Sequence, residues 1–244
     1  NVPTYGREEI DEAVDSLESG WVTMGAKVKR FEEMWAEYIG VKFAVMTNSG
    51  SSANLLALSC LGLQPGDEVI TPALTWATTV FPIAQVGAVP VLVDVDLDTY
   101  NISPKAVERA ISPRTKAIMP VHLLGNPCNM VSLAHLSNRF SLRLIEDACE
   151  AHGAETVGRH QSAFEDDYRK VGAFSEIATF SFFFSHHIST IEGGMVVTNH
   201  DHFAERCRSL RAFGWARDMR DYSQMAQQHP GIDPRFLFLH AGYN

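Results

Sequence analysis

Amphipathic stretches with helical spacing alternate along this chain with short, almost wholly apolar runs. REEIDEAVDSLESG reads as an amphipathic helix closing at Gly20. KVKRFEEMWAEYIG reads as a second, closing at Gly40, with Phe31, Trp35 and Ile39 on one face. FAVMTNSG is an apolar strand running into a glycine-serine turn, and SSANLLALSCLGL a helix that starts there. DEVITPALTW, AVPVLVDVD, TKAIMPVHLLG and LRLIEDACE each supply a strand of the buried type, with PKAVERAIS and MVSLAHLSNRF as helices among them. ATFSFFF and GGMVVTN read as two strands around a pair of histidines, and DHFAERCRSLRAFG as a further helix. Such alternation predicts an α/β architecture with a sheet covered on both faces. The polar, glycine-punctuated stretch after Glu150, with its charge run EDDYRK, reads as a solvated loop or hairpin, and ARDMRDYSQMAQQHPGIDPRF as loop.

Composition narrows the classes. At 244 residues and 45% hydrophobic content, the chain has ample material for one large core. The formal charge of -9 lacks the basic footprint of a nucleic-acid binder. No apolar run has the length of a membrane span. The first residues, NVPTYGREEIDEAV, have no basic-then-apolar leader pattern, so a soluble cytoplasmic protein is expected. Cys60, Cys128, Cys149 and Cys207 are scattered without CxxC spacing, which predicts free thiols and no metal centre.

Four stretches carry candidate chemistry. TNSGSSANLL, at 47–56, sets Ser49, Gly50, Ser51 and Ser52 between a strand and a helix. The free N–H groups and partial positive charge of a helix start can hold a phosphate there; plain N-capping by serine is the local alternative. LIEDACEAHGAE, at 144–155, puts Glu146, Asp147 and Glu150 at the carboxyl end of an apolar strand, where open α/β sheets bind ligands. A carboxylate in that position pairs with a protonated ring nitrogen, holds a metal or caps a loop. TPALTWATT, at 71–79, leaves Trp76 after a strand, either stacked on a planar ligand or packed in the core. In SFFFSHHISTIEGGMVVTN, His186 and His187 stand before Glu192-Gly193-Gly194, and packing, metal ligation and acid-base chemistry are all open on the residues alone. His122 and His152 read as structural histidines.

Taken together and in order, these stretches, with GWVTMGAKVKRFEEMWAEYIG, PVHLLGNP, LRAFGWARD and the closing AGYN, resemble the DegT/StrS family of sugar-nucleotide aminotransferases and their dehydratase relatives. The resemblance implies an aspartate-aminotransferase-like α/β fold with a mainly parallel sheet between helices. Residues 1–244 would form one large domain binding pyridoxal 5'-phosphate or pyridoxamine 5'-phosphate, with a helical segment over about 1–40. The family's C-terminal small domain would be absent from this chain, and a homodimer is implied. Carried over by position, Gly50 and Ser51 would bind the cofactor phosphate, helped by Ser181 and by Asn244 of a neighbouring subunit. Trp76 would stack on the pyridine ring, Asp147 would pair with its protonated nitrogen, and Glu150 would approach the cofactor hydroxyl edge or the catalytic base.

Family aminotransferases carry a Schiff-base lysine in the turn before Glu-Gly-Gly. Aligned on Ser181 and on Glu192-Gly193-Gly194, that position here is His186, and no lysine occurs from Val171 onward. Imidazole forms no stable imine but moves protons near neutral pH. The SHHIxTxEGG pattern, with EDACEA, resembles the family's 3-dehydratases of 3,6-dideoxyhexose synthesis. That implies loss of the C3 hydroxyl from a nucleotide-linked 4-keto-6-deoxyhexose, His186 as base, and L-glutamate as the amine donor that restores the cofactor. With only Cys207 beyond Gly194, the cluster-free branch of those dehydratases is expected. An aminotransferase with an unusual base, and a catalytically silent cofactor-binding homologue, are the alternatives. The segment 159–170 is longer than the family pattern leads one to expect.

Overall fold

The chain folds around a seven-stranded sheet whose helices pack on both faces, in a computed structural model that describes residues 5–158 and 167–243. In chain order the sheet strands are β1 (Phe43–Thr47), β2 (Glu68–Pro72), β3 (Val89–Val93), β4 (Thr115–Ile118), β5 (Arg143–Asp147), β8 (Ile177–Ser181) and β9 (Gly194–Thr198). Two short strands, β6 (Glu155–Gly158) and β7 (Asp167–Lys170), form a separate antiparallel pair. The spatial order is β1-β9-β8-β5-β4-β2-β3, and every pairing is parallel except the two made by β9. This is the mainly parallel α/β sheet that the apolar runs predict. Parallel strands need crossovers, and these are supplied by α3 (Gly50–Cys60), α4 (Ala77–Gln85), α5 (Pro104–Ala110) and α6 (Met130–Phe140). Before them lie α1 (Arg7–Glu18) and α2 (Ala26–Ile39); after β9 come α7 (Asp201–Leu210) and α8 (Tyr222–Gln228).

Both faces of the sheet are buried, and the pleat assigns neighbours to opposite sides. Val45, Val69, Ala117, Ile145, Ile177 and Val196 pack with Leu56, Ala57, Phe203 and Cys207 of α3 and α7. Their neighbours Ala44, Ala178, Met195 and Val197 pack on the other side with Trp35 and Ile39 of α2, and Ile70, Ile118 and Leu144 with Leu133 and Leu136 of α6. The period of two therefore operates inside runs that look uniformly apolar.

The structure corrects the sequence reading in three places. The stretch after Trp76 forms α4, which the pattern does not announce: Thr78, Thr79 and Val80 are β-branched, and Pro82 lies inside the helix. Packing of Thr79, Pro82 and Ile83 against the interior overrides those local preferences. The ATFSFFF run ends as a strand at Ser181, leaving Phe183 and Phe184 exposed in the following loop. The loop-like tail contains α8, begun at Asp221 and built from the helix formers Met225, Ala226, Gln227 and Gln228, and a short 3-10 turn at Pro234–Phe236. Among the described residues no helix is long and apolar enough to cross a membrane.

Candidate active site

Because β1, β2, β4, β5 and β8 all run the same way, their carboxyl ends share one edge of the sheet. Ser49 and Gly50 follow β1, Trp76 follows β2, Asp147 ends β5 and Ser181 ends β8. The sequence candidates therefore converge where ligands sit in open α/β sheets.

At β1, Ser49 caps α3, its Oγ accepting the Ser52 backbone N–H at 3.1 Å. The capping expectation and the phosphate expectation meet in one turn, for a capped start still presents other N–H groups. Two glycines make the close packing possible. A Cβ on Gly50 would lie 2.5 Å from Ser181 Cβ, and one on Gly194 would lie 2.1 Å from the Ser49 carbonyl oxygen. Thus the Glu-Gly-Gly motif draws the histidine loop against the α3 turn, and Gly50 draws that turn against β8. Ser51 is half-buried in the first turn of α3, and Ser181 is buried.

Asp147 is 3% exposed, so its charge depends on local donors. Its Oδ2 accepts from Asn54 Nδ2 at 3.0 Å and from Thr79 Oγ1 at 2.8 Å, and its Oδ1 accepts the Cys149 backbone N–H at 3.2 Å. Trp76 stands at the start of α4 with its side chain in solvent; at 78% exposure the indole is not a core residue. Next to Asp147, Glu146 points the opposite way and is wholly buried. It accepts from the Gly172, Phe174 and Ser175 backbone N–H groups, the Ser175 hydroxyl and His122 Nε2 at 2.7–3.1 Å. Although burial alone would push its pKa up, the bonds from His122, Gly172 and Ser175 hold it below the ordinary carboxylate value. His122 also accepts the Cys128 N–H at Nδ1, 3.0 Å away, which makes it the satisfied structural histidine expected.

His186 lies half-buried in the loop between β8 and β9, whose base is closed by Phe182 N–H to Gly193 O and Thr190 N–H to Phe182 O, both 2.9 Å. Burial lowers its pKa from 6.5, the Glu150 and Asp147 carboxylates oppose that shift, and His187 reinforces it. Glu150 Oε2 accepts the Leu124 N–H at 3.0 Å. His187 is exposed, its ring 5.8 Å from that of His152. His152 packs among Trp35, Phe180 and Phe182, with its centroid 6.2 Å from His186. Burial first, then His186 and His187, pull its pKa down to about 4. The lysine nearest in sequence, Lys170, is held by Glu155 at 3.4 Å and lies over the Tyr38 ring. The structure thus brings Gly50, Ser51, Trp76, Asp147, Glu150, Ser181 and His186 to one edge, while Asn244 lies outside the described residues.

Asn54, Thr79 and Thr179 complete this edge and escaped the sequence reading. Thr179 Oγ1 donates to Asn54 Oδ1 at 2.6 Å, behind the Asp147 contacts. The available signal was polar residues inside apolar elements: an asparagine in ANLLAL and a threonine in IATFS.

The DegT/DnrJ/EryC1/StrS aminotransferase family matches residues 3–243. Over 250 residues the chain is 37% identical to the GDP-4-keto-6-deoxy-D-mannose 3-dehydratase of Yersinia pseudotuberculosis, covering 99% of this chain and 61% of that protein. The solved E. coli GDP-4-keto-6-deoxy-D-mannose-3-dehydratase with bound hydrated PLP superimposes with a TM-score of 0.86 at 34% identity, over all of this chain and 62% of that one. The aminotransferase from Psychrobacter cryohalolentis gives 0.87 at 30%, over all of this chain and 59% of its own. The chain spans about three fifths of the length of these relatives, and it belongs to the DegT/DnrJ/EryC1/StrS aminotransferase family.

Proposed function

We propose that this member of the DegT/DnrJ/EryC1/StrS aminotransferase family holds pyridoxal or pyridoxamine 5'-phosphate at the carboxyl edge of its sheet and serves a 3-dehydratase. The substrate is a nucleotide-linked 4-keto-6-deoxyhexose, which loses its C3 hydroxyl. One observation carries the choice of dehydration over amino transfer: the loop closed by Glu192-Gly193-Gly194 presents His186, and no lysine, beside Glu150 and Asp147.

The residues present fit the cofactor. The closely packed start of α3 offers N–H donors for a phosphate on Gly50 and Ser51, flanked by Ser181. The exposed Trp76 indole is free to cover a planar ring, and the buried Asp147 carboxylate suits a protonated ring nitrogen. When bound, the cofactor supplies the electron sink for the elimination. His186, with its lowered pKa, is neutral at physiological pH and takes up a proton at an imidazole nitrogen. The Glu150 carboxylate electrostatically supports the protonated imidazole. L-Glutamate serves as amine donor, and a homodimer in which Asn244 reaches the neighbouring phosphate site is part of the reading.

The second reading, amino transfer, is favoured by the equally close superposition on a solved aminotransferase. The two separate by product. The purified protein is mixed with PLP and L-glutamate, and conversion of aldehyde to amine is followed by absorbance. Nucleotide-linked 4-keto-6-deoxyhexoses are then added, and mass spectrometry reads the product. A 3-deoxy sugar is expected. A 4-aminosugar as main product supports amino transfer, and amine-form cofactor with no water lost from any such sugar overturns the dehydratase reading.

A further inference from the structure

Asn54 occupies a place where four elements meet. It sits on α3 one turn beyond the phosphate turn, and its partners lie on α4, β5 and β8. The residues involved are buried: Asn54 is 1% exposed, Thr79 2%, Asp147 3% and Thr179 fully enclosed. Every polar atom of the amide is used. One Nδ2 hydrogen goes to Asp147 Oδ2 at 3.0 Å and the other to the Thr78 carbonyl at 3.1 Å, while Oδ1 accepts from Thr179 Oγ1 at 2.6 Å. The opposite orientation of the amide would set its oxygen against a carbonyl and a carboxylate, so the network admits a single orientation.

The Thr78 carbonyl is available for a reason written in the sequence. In an α-helix it would accept the N–H four residues on, but that residue is Pro82, which has none. Asn54 supplies the missing donor and, from the same nitrogen, holds Asp147. Thr79 adds the second bond to Oδ2 and is itself paired with Thr75 Oγ1 at 2.8 Å. Thr179 stands opposite Asp147 in the parallel register of β5 and β8. The outcome is an asymmetric carboxylate. Oδ2 carries two side-chain donors from α3 and α4, whereas Oδ1 carries one longer backbone bond, at 3.2 Å, and the Cys149 thiol is a further hydrogen-bonding neighbour of the carboxylate.

We infer that Asn54 is a positioning residue for cofactor recognition: with Thr79 and Thr179 it locks the rotation of Asp147 so that Oδ1 is the oxygen offered to the pyridine nitrogen. This rests on the reading that Asp147 faces that nitrogen. The same helix then carries the phosphate anchor and the residue that sets the nitrogen anchor, so α3 fixes the spacing between them. Through Thr78, the lock also extends to the helix that begins with Trp76.

The test compares binding of PLP with that of its 1-deaza analogue, in which CH replaces the ring nitrogen, by equilibrium titration without substrate. Folding of each variant is checked by circular dichroism and thermal midpoint. The wild-type chain is expected to prefer PLP by about tenfold or more, the scale of one charge-assisted hydrogen bond. In folded Asn54→Ala the preference should shrink to a few-fold or vanish. Thr79→Val should also narrow it, and Thr79→Ser, which keeps the hydroxyl, should restore it. Should Asn54→Ala fail to fold, the near-isosteric Thr179→Val frees the amide and reads the same quantity. An undiminished preference for PLP in folded Asn54→Ala, or in Thr179→Val if that variant stands in, overturns the inference and leaves the Asp147 reading intact. A wild-type chain with no preference removes the Asp147 reading and this inference with it.

Discussion

His186 illustrates how little of a side chain's function resides in its identity and how much in its surroundings. Burial lowers its pKa while Glu150 and Asp147 hold it partly up. As a base it must be neutral, so turnover is expected to stay high at neutral pH and fall as pH drops through a value below 6.5. Glu150→Gln removes an opposing carboxylate and should move that acid limb lower still; a limb that rises or stays put would take Glu150 out of the pair. His186→Ala is expected to cut turnover by about 10²–10⁴-fold with cofactor affinity changed only a few-fold. Near-normal turnover would remove His186 as base. His186→Lys should acquire a yellow, borohydride-reducible link to PLP. His152 has a different readout, in stability. Its folded pKa of about 4 lies below the unfolded value near 6.5, so between those values the unfolded chain binds the extra proton. Stability is therefore full above pH 6.5 and declines toward pH 4, by at most ~3 kcal/mol. His152→Phe should flatten that part of the denaturation profile; an unchanged slope would show that other groups set it. Asp147 and Glu150 were legible in the sequence because the apolar run before them marks the end of β5, and His186 because it precedes Glu192-Gly193-Gly194, although the phenylalanines before it run past the end of β8 at Ser181. Asn54 was not, since its partners lie 24, 93 and 125 residues away and a lone polar residue in a helix announces no direction.

Between residue and molecule, the sheet positions its site by what its strand ends hold. β5 ends in two carboxylates aimed oppositely: Asp147 serves the candidate site, and Glu146 ties the turn before β8 to the sheet. Five donors converge on Glu146 with no solvent contact, so its replacement by a group that itself presents N–H has nowhere to turn. Glu146→Gln is expected to lower unfolding free energy by about 2–4 kcal/mol and to loosen the β8 end before the β5 end. Chemical denaturation measures the first, and hydrogen exchange at Gly172, Phe174 and Ser175 the second. A loss under about 0.5 kcal/mol would show that the network is not structural. The same scale explains which elements could be read in advance. The strands follow their apolar runs, the helices α2, α6 and α7 their apolar periodicity, and α3, buried all round, its serine-capped start, while Gly40 closes α2 in the left-handed conformation at φ 85°. Helix α4 could not be read, because threonines and a proline argue locally against it and only burial against the sheet argues for it.

At the scale of the molecule, the carboxyl edge carries more exposed apolar surface than a ligand needs. Leu74, Trp76 and Phe81 stand about the start of α4, Leu124 beside Glu150, and Phe183, Phe184, Ile188 and Ile191 in the histidine loop, all exposed. Apolar side chains gathered around one site mark an interaction surface or a ligand-binding groove. The family resemblance proposes a second copy as the cover, with Asn244 reaching across to the phosphate turn. Such sharing has a thermodynamic consequence that mere contact does not. If each site borrows a residue from its partner, association and cofactor binding are linked, and each must strengthen the other by the same factor. Sedimentation at rising protein concentration should therefore show a shift from one to two chain masses, moved to lower concentration by PLP. Reciprocally, the apparent PLP dissociation constant should rise several-fold on dilution through that transition. A constant that is identical in the one-chain and two-chain regimes would confine the whole site to one copy. Phosphate binding would then fall to Gly50, Ser51 and Ser181 alone, and Ser181→Ala would be expected to weaken it more than any change at position 244.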